Sequence, residues 1–247
     1  MTESQPAAIV FDGVSKSFGS KQVLQEVSFS VRQGETVCLL GRSGTGKSVT
    51  LKLLIGLLRP NIGRVLIGQD NISSLEGDDL SRLRRKMGFL FQSAALFDSA
   101  TLEENLALPL RRLTDKSKLE IEYAVHRALA EVGLAADRYK MPGELSGGMK
   151  KRAGLARALV LEPEILLVDE PSSGLDRITA SEIDDLLLEQ KAKRRTTIVI
   201  VTHAVHGAKR VGDRFAVLDK ARLVAFGDLQ YLENHESKTV RTLVGGQ

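Results

Sequence analysis

The chain of 247 residues contains one cysteine, Cys38. No internal disulfide can form, and a reducing, cytosolic setting is the expectation. No apolar run approaches the roughly 18 residues that a membrane-crossing helix requires, which argues against a span. The opening Met1-Thr2-Glu3-Ser4-Gln5 has an acid and no basic cluster before an apolar stretch, so a secretory signal is not expected. Basic residues outnumber acidic ones only by 35 to 31, a formal charge of +4. They gather at 82–86, 150–152 and 191–195, without the interleaved aromatics of a single-strand binder. These runs therefore read as solvated helix faces, and no nucleic-acid partner is expected. Among only four histidines, His203 and His206 stand three apart with no cysteine nearby, which discounts a zinc site. Internal repeats and low-complexity linkers are absent too, so the length suits one α/β domain with an insertion.

Against these absences stands Gly41-Arg42-Ser43-Gly44-Thr45-Gly46-Lys47-Ser48, directly after the apolar run Thr36-Val37-Cys38-Leu39-Leu40. It fits the phosphate-loop pattern G-x-x-x-x-G-K-[ST], whose glycines let successive backbone N–H groups close around phosphate oxygens. Lys47 adds a compact positive charge for the β- and γ-phosphates, and the Ser48 hydroxyl suits Mg²⁺. Residues 49–55 continue as a helix whose N-terminal dipole favours an anion.

Ahead of this loop, Ala8-Ile9-Val10-Phe11 and Val27-Ser28-Phe29-Ser30-Val31 read as strands of an antiparallel flap, connected through Ser15-Lys16-Ser17-Phe18-Gly19. Phe18 is either flap core or an aromatic poised to stack on adenine. Residues 63–67 form another strand, 78–86 a charged helix, and 86–91 a strand that ends at Gln92. That amide either caps the strand or reaches Mg²⁺ and the attacking water, since open α/β sheets place ligands at strand ends. From 93 to about 160 the pattern is helical, with capping boxes at Thr101-Leu102-Glu103-Glu104 and Ser117-Lys118-Leu119-Glu120. In Ser93-Ala94-Ala95-Leu96-Phe97, the last two residues are either internal packing or the lining of a groove for a partner helix. Leu145-Ser146-Gly147-Gly148-Met149 offers Ser146 as an N-cap, with two glycines leaving the first N–H groups open to an anion.

The apolar Ile165-Leu166-Leu167-Val168 runs into Asp169-Glu170, a costly arrangement unless the acids have chemistry to do. Asp169 suits Mg²⁺ and Glu170 suits polarising a water. Pro171-Ser172-Ser173-Gly174-Leu175-Asp176 turns into a helix, and residues 196–201 form a last buried strand that ends at Thr202-His203. His203 is either a structural residue or a neighbour of the phosphate site. Two further strands flank a hairpin placed at Asp219-Lys220, and a polar tail begins near Gln230.

Taken in order, Phe18, the loop 41–48, Gln92, residues 145–149, Asp169-Glu170, residues 173–176 and His203 resemble the ATPase subunit of ABC transporters, over essentially the whole chain. The resemblance implies an α/β P-loop NTPase fold of mainly parallel strands with an N-terminal antiparallel β subdomain and a helical insertion. It divides one domain, 1–247, into a core (1–92 and 161–229), a helical subdomain (93–160) and a tail (230–247). It implies ATP and Mg²⁺ as cofactors, bound by Phe18, Gly41, Arg42, Ser43, Gly44, Thr45, Gly46, Lys47 and Ser48, with Ser48, Gln92 and Asp169 at the metal. Glu170, His203 and Gln92 are the implied catalytic residues. Ser146, Gly147, Gly148 and Asp176 would complete the site of a second copy in a head-to-tail homodimer. Met149 in the signature, the apolar residues after Gln92 and Val240-Arg241-Thr242-Leu243-Val244-Gly245 look like the Mla/Mce-type ATPases of bacterial lipid transport. That narrower likeness implies transmembrane permease subunits, a lipid-binding substrate protein, a small regulatory subunit and a place at the cytoplasmic face of the inner membrane. Arg177 departs from the proline that usually follows the aspartate, which puts the entry into the next helix in doubt.

Overall fold

The computed structural model describes residues 7–245, so the Met1 to Gln5 reading falls outside it. The described strands are β1 (Ala7–Phe18), β2 (Lys21–Arg32), β3 (Thr36–Leu40), β4 (Ile62–Ile67), β5 (Asp70–Asn71), β6 (Met87–Leu90), β7 (Ile165–Asp169), β8 (Thr197–Thr202), β9 (Arg214–Asp219) and β10 (Arg222–Gly227). They form an antiparallel sheet ordered β2-β1-β4-β5 and a larger sheet ordered β10-β9-β3-β8-β7-β6. The larger sheet is parallel apart from the β9–β10 hairpin. In β2, Val27, Phe29 and Val31 are buried while Glu26 and Ser28 are not, the alternation of a one-sided sheet. All of β3 is buried, as expected of a central parallel strand covered on both faces.

The helices are α1 (Lys47–Leu54), α2 (Gly77–Arg85), α3 (Leu102–Leu113), α4 (Lys118–Glu131), α5 (Gly147–Leu159), α6 (Arg177–Arg194), α7 (Val205–Val211), α8 (Leu229–Glu233) and α9 (Lys238–Gly245). Thr101 and Ser117 cap α3 and α4, with Glu104 and Glu120 completing both capping boxes. α6 begins at Arg177 without the expected proline, because the Asp176 carboxylate accepts from the backbones of Ile178 and Thr179 at 3.0 Å each. Among the described residues, no helix is long and apolar enough to cross a membrane.

Each central strand sends alternate side chains to opposite cores. Val37, Leu39 and Leu167 join Phe11, Leu51 and Val65 between the two sheets. Cys38, Leu40, Leu166 and Val168 join Ile183, Phe215, Val240 and Val244 on the other face. A third cluster unites α3 and α4 through Leu102, Leu106, Ile121 and Leu129. α5 lies between the last two, giving Leu155 and Leu159 to the sheet side and Ala153 and Ala156 to the helical side.

Four sequence expectations change. Residues 15–18 continue β1 instead of leaving it, because Lys16, Ser17 and Phe18 pair with Leu24, Gln22 and Lys21 of β2 through repeated register shifts, and Ser15 pairs with Ile62 of β4. The second hairpin turns at Lys220-Ala221, one residue later than read, with φ of 45° and 66°. The tail is no polar appendage: Leu232, Val240 and Val244 are fully buried. The basic runs are also only partly solvated, since Lys151 is buried, Arg84 donates to the Ile55 and Gly56 carbonyls, and Lys191 pairs with Asp213. Cys38 is sealed from solvent, and burial pushes its thiol pKa far above the ordinary value.

Candidate nucleotide site

The loop 41–46 leaves the buried end of β3 and delivers Lys47 as the first residue of α1. Gly46 takes φ 102°, and a Cβ there would lie 2.7 Å from both Leu24 Cδ2 and the Val23 carbonyl, so the position requires glycine. The Lys47 ammonium is drawn back into its own loop, donating to the Gly41 carbonyl at 2.8 Å and the Arg42 carbonyl at 3.1 Å. Burial lowers its pKa, and the nearby charges of Glu170 and Asp169 oppose that shift.

Opposite stands the acidic end of β7. Ser48 Oγ donates to Asp169 Oδ1 at 3.2 Å. Burial raises the Asp169 pKa, with the Ser48 hydrogen bond acting against it and the Glu170 charge adding to it. Glu170 is buried, and its backbone sits at φ 48°. Its Oε2 accepts from Thr202 Oγ1 at 3.1 Å and from the His203 backbone N–H at 3.2 Å, and lies 2.9 Å from His203 Nδ1. Among the described residues, Oε1 receives no such bond. Gln92 Nε2 reaches Ser173 Oγ at 3.4 Å. One open cleft of about 640 Å³ gathers Phe18, Ser43, Gly44, Gly46, Lys47, Ser48, Gln92, Glu170 and His203, together with Lys21 and Val23, which the sequence reading did not single out.

Phe18 is 47% exposed on the rim of this cleft, with Lys16 Nζ 5.2 Å from its ring centre, so the flap-core alternative for Phe18 fails. Arg42 and Thr45 line a neighbouring cavity with Gln25 and residues 219–221, and Thr45 Oγ1 bonds the Arg42 carbonyl at 2.9 Å. Gly41 packs tightly, since a Cβ there would lie 2.6 Å from the Leu218 carbonyl.

Ser146, Gly147, Gly148 and Asp176 do not line the cleft. Ser146 caps α5 by accepting from Met149 N at 3.2 Å. A Cβ at Gly148 would meet Thr179 Cγ2 at 2.3 Å, so α6 approaches α5 closely there. Asp176 Oδ2 also accepts from Thr179 Oγ1 at 2.6 Å, and that bond leads the causes that hold its carboxyl below the usual range. Lys151, which the sequence does not single out, is a site neighbour that donates to the Glu170 carbonyl at 2.8 Å. The helical spacing that buries Leu155 and Leu159 places residue 151 on the same face, and that was the available signal.

Comparison with known proteins agrees with this geometry. The sequence profile described as ABC transporter matches residues 24–173. The Mycobacterium tuberculosis protein named "Probable ribonucleotide transport ATP-binding protein mkl" is 45% identical, across 100% of this chain and 69% of its own length. The Arabidopsis thaliana "Protein TRIGALACTOSYLDIACYLGLYCEROL 3, chloroplastic" is 41% identical over 85% of this chain and 66% of its own. Among solved structures, the ATP-binding cassette MJ0796, dimeric in a post-hydrolysis state with ADP and Pi, superposes with TM-score 0.82. It is 31% identical, with 89% of this chain and 98% of that one covered. With Lys47, Ser48 and Glu170 on one cleft and Asp169 bonded to Ser48, the chain belongs to the ABC transporter family and is an ATP-hydrolysing cassette of it.

Proposed function

We propose that Glu170 is the general base of this ATPase and that the cassette drives lipid transport between bacterial membranes through closure of a head-to-tail dimer. The observation that carries the catalytic part is the Glu170 carboxylate, held through Oε2 by Thr202 and His203 in the cleft that also contains Lys47 and Ser48. Oε1 keeps its lone pairs for the proton of the attacking water. ATP phosphates would draw Lys47 from the Gly41 and Arg42 carbonyls, replacing two neutral acceptors with anionic ones. Phe18, exposed at the rim, offers its ring to the adenine. The oxygens of Ser48 and Asp169, 3.2 Å apart, with the Gln92 amide nearby, suit a hard cation that keeps several waters. Mg²⁺ bound there would neutralise charge on the phosphates. Glu170→Gln should retain ATP binding and lose hydrolysis by at least about a hundredfold. Near-normal turnover of that variant would remove Glu170 from the role.

The composite site is supported by the signature residues, which lie outside the chain's own cleft at the N-terminus of a 13-residue helix. Gly147→Asp would place a carboxylate at that terminus and should block hydrolysis while each subunit still binds ATP. Light scattering of the Glu170→Gln protein with ATP should report a dimer, and a monomer there would refute the pairing.

Support for a lipid comes from the relative whose name contains a galactolipid and from Met149 in the signature. The names of other relatives, one for ribonucleotide transport and one for methionine import, offer the competing cargo classes. A position at the cytoplasmic membrane face, permease subunits, a lipid-binding protein and a small regulatory subunit belong to this same reading. Purification from solubilised membranes, followed by lipid analysis, tests it. Recovery with an amino-acid or nucleotide permease and no lipid-binding partner would end the lipid assignment and leave the ATPase intact.

A further inference from the structure

Lys151 is 5% exposed, a position at which an ammonium costs free energy unless its partners compensate. An aliphatic chain of that length would fill the space without the desolvation cost. The one hydrogen bond Lys151 makes among the described residues runs to the main-chain oxygen of Glu170, at 2.8 Å. That oxygen also accepts from Ser173 N at 3.2 Å, and Glu170 N donates to Val201 O at 2.8 Å. The residue between these anchors sits at φ 48°, a left-handed conformation that a glutamate holds only when its surroundings enforce it. Farther along the same helix, Arg157 donates to the carbonyls of Ala94 at 3.0 Å and Ala95 at 2.7 Å, both also left-handed, in the loop that follows Gln92. α5 thus grips Glu170 and the loop after Gln92, the residues of both segments that line its own subunit's cleft being Glu170 and Gln92. Its N-terminus, capped by Ser146, lies outside that cleft.

We propose that Lys151 is a positioning residue that ties the backbone of Glu170 to the signature helix, so that a partner's nucleotide docking on α5 sets the carboxylate of the other ATP site. The two-site part rests on the composite-site reading. The ammonium does not touch the nucleotide, so its loss should reach catalysis through the placement of Glu170 and leave binding alone.

The experiment compares wild type, Lys151→Met and Lys151→Gln in steady-state hydrolysis of MgATP by the full chain, with melting curves for each. Lys151→Met removes the donor, keeps most of the volume and leaves the Ser173 bond to the carbonyl. Its kcat should fall about tenfold with KM within about twofold, because misplacement of a base is felt in the chemical step. Lys151→Gln restores an N–H donor on a chain one atom shorter and should keep kcat within about threefold. In the Glu170→Gln background, Lys151→Met should still dimerise with ATP. A wild-type kcat for Lys151→Met overturns the proposal, as does equal impairment of both variants or loss of dimerisation in the double variant. Should Lys151→Met melt below the assay temperature, Lys151→Gln decides: near-wild-type kcat upholds the donor role and a tenfold loss overturns it. If the Glu170→Gln protein alone never dimerises, the composite reading has failed and the two-site coupling falls with it. A normal dimer beside an indifferent Lys151→Met removes only the present proposal.

Discussion

At the scale of single residues, the site chemistry was readable where it depends on local order and hidden where it depends on packing. The loop 41–48, Asp169, Glu170 and His203 announce themselves because each ends an apolar strand with a polar group. Lys151 looked like part of a solvated basic run, since the approach of α5 to the end of β7 is a tertiary fact. Gly148 likewise read as an opening for an anion, and the structure adds a packing reason. Its Cβ would meet Thr179 Cγ2 at 2.3 Å, and Thr179 cannot simply rotate because its hydroxyl is bonded to Asp176. Gly148→Ala should cost about 1–3 kcal/mol, seen as a melting temperature several degrees lower. Gly147→Ala, whose Cβ would have Leu175 at a comfortable 3.7 Å, should not lower it. Asp184 gives a pH prediction. Burial raises its pKa and Asp185 adds to that, while Arg210 and His206 oppose it. A carboxyl raised in the folded state binds more protons there than in the unfolded chain, so its contribution is full at low pH and is lost as pH rises above the usual carboxylate range. Asp184→Asn should therefore raise the melting temperature more at pH 8 than at pH 4. Parallel curves for variant and wild type would show that the charge costs nothing there.

Elements were legible in kind more often than in extent. The capping boxes at Thr101 and Ser117 start α3 and α4 where expected, because both partners of each box are local. The hairpin was misplaced by one residue, since Asp219-Lys220 has the better turn composition while the cross-strand pair Asp219 and Arg222 puts Lys220 and Ala221 at the corner. Both corner residues have positive φ, the type I′ pattern that favours Asn-Gly. Lys220→Asn with Ala221→Gly should stabilise the chain by about 1 kcal/mol, less what glycine gains in unfolded freedom. The bond from Gln25 N to the Ala221 carbonyl is backbone to backbone and survives the change. Thermal melting measures the gain, and a loss would mean that the native turn carries no strain. α9 escaped notice for a different reason: Val240 and Val244 are four apart on a helix too short for its periodicity to stand out.

For the whole molecule, the order of the motifs disclosed the family, while their grouping in space required the fold. Leu96 packs against the helical cluster, whereas Phe97 is 52% exposed. The backbone of Phe97 is fixed on both sides by the buried Asn105, through bonds of 2.8 and 3.1 Å. A rigidly presented, exposed aromatic beside the Gln92 loop suits an interface anchor. Phe97→Ala should leave the melting temperature of the isolated chain nearly unchanged and cost about 2–4 kcal/mol in binding its membrane partners. A large drop in melting temperature with undiminished co-purification would return Phe97 to a packing role. Cys38, the single cysteine of the chain, is buried in the central strand with its thiol pKa pushed upward. Because maleimides react with accessible thiolate, the native sequence is already a silent background for fluorescent labelling. A Tyr123→Cys substitution, at a position 71% exposed on α4, would take a dye that the parent refuses, and the helical layer becomes something to follow one molecule at a time.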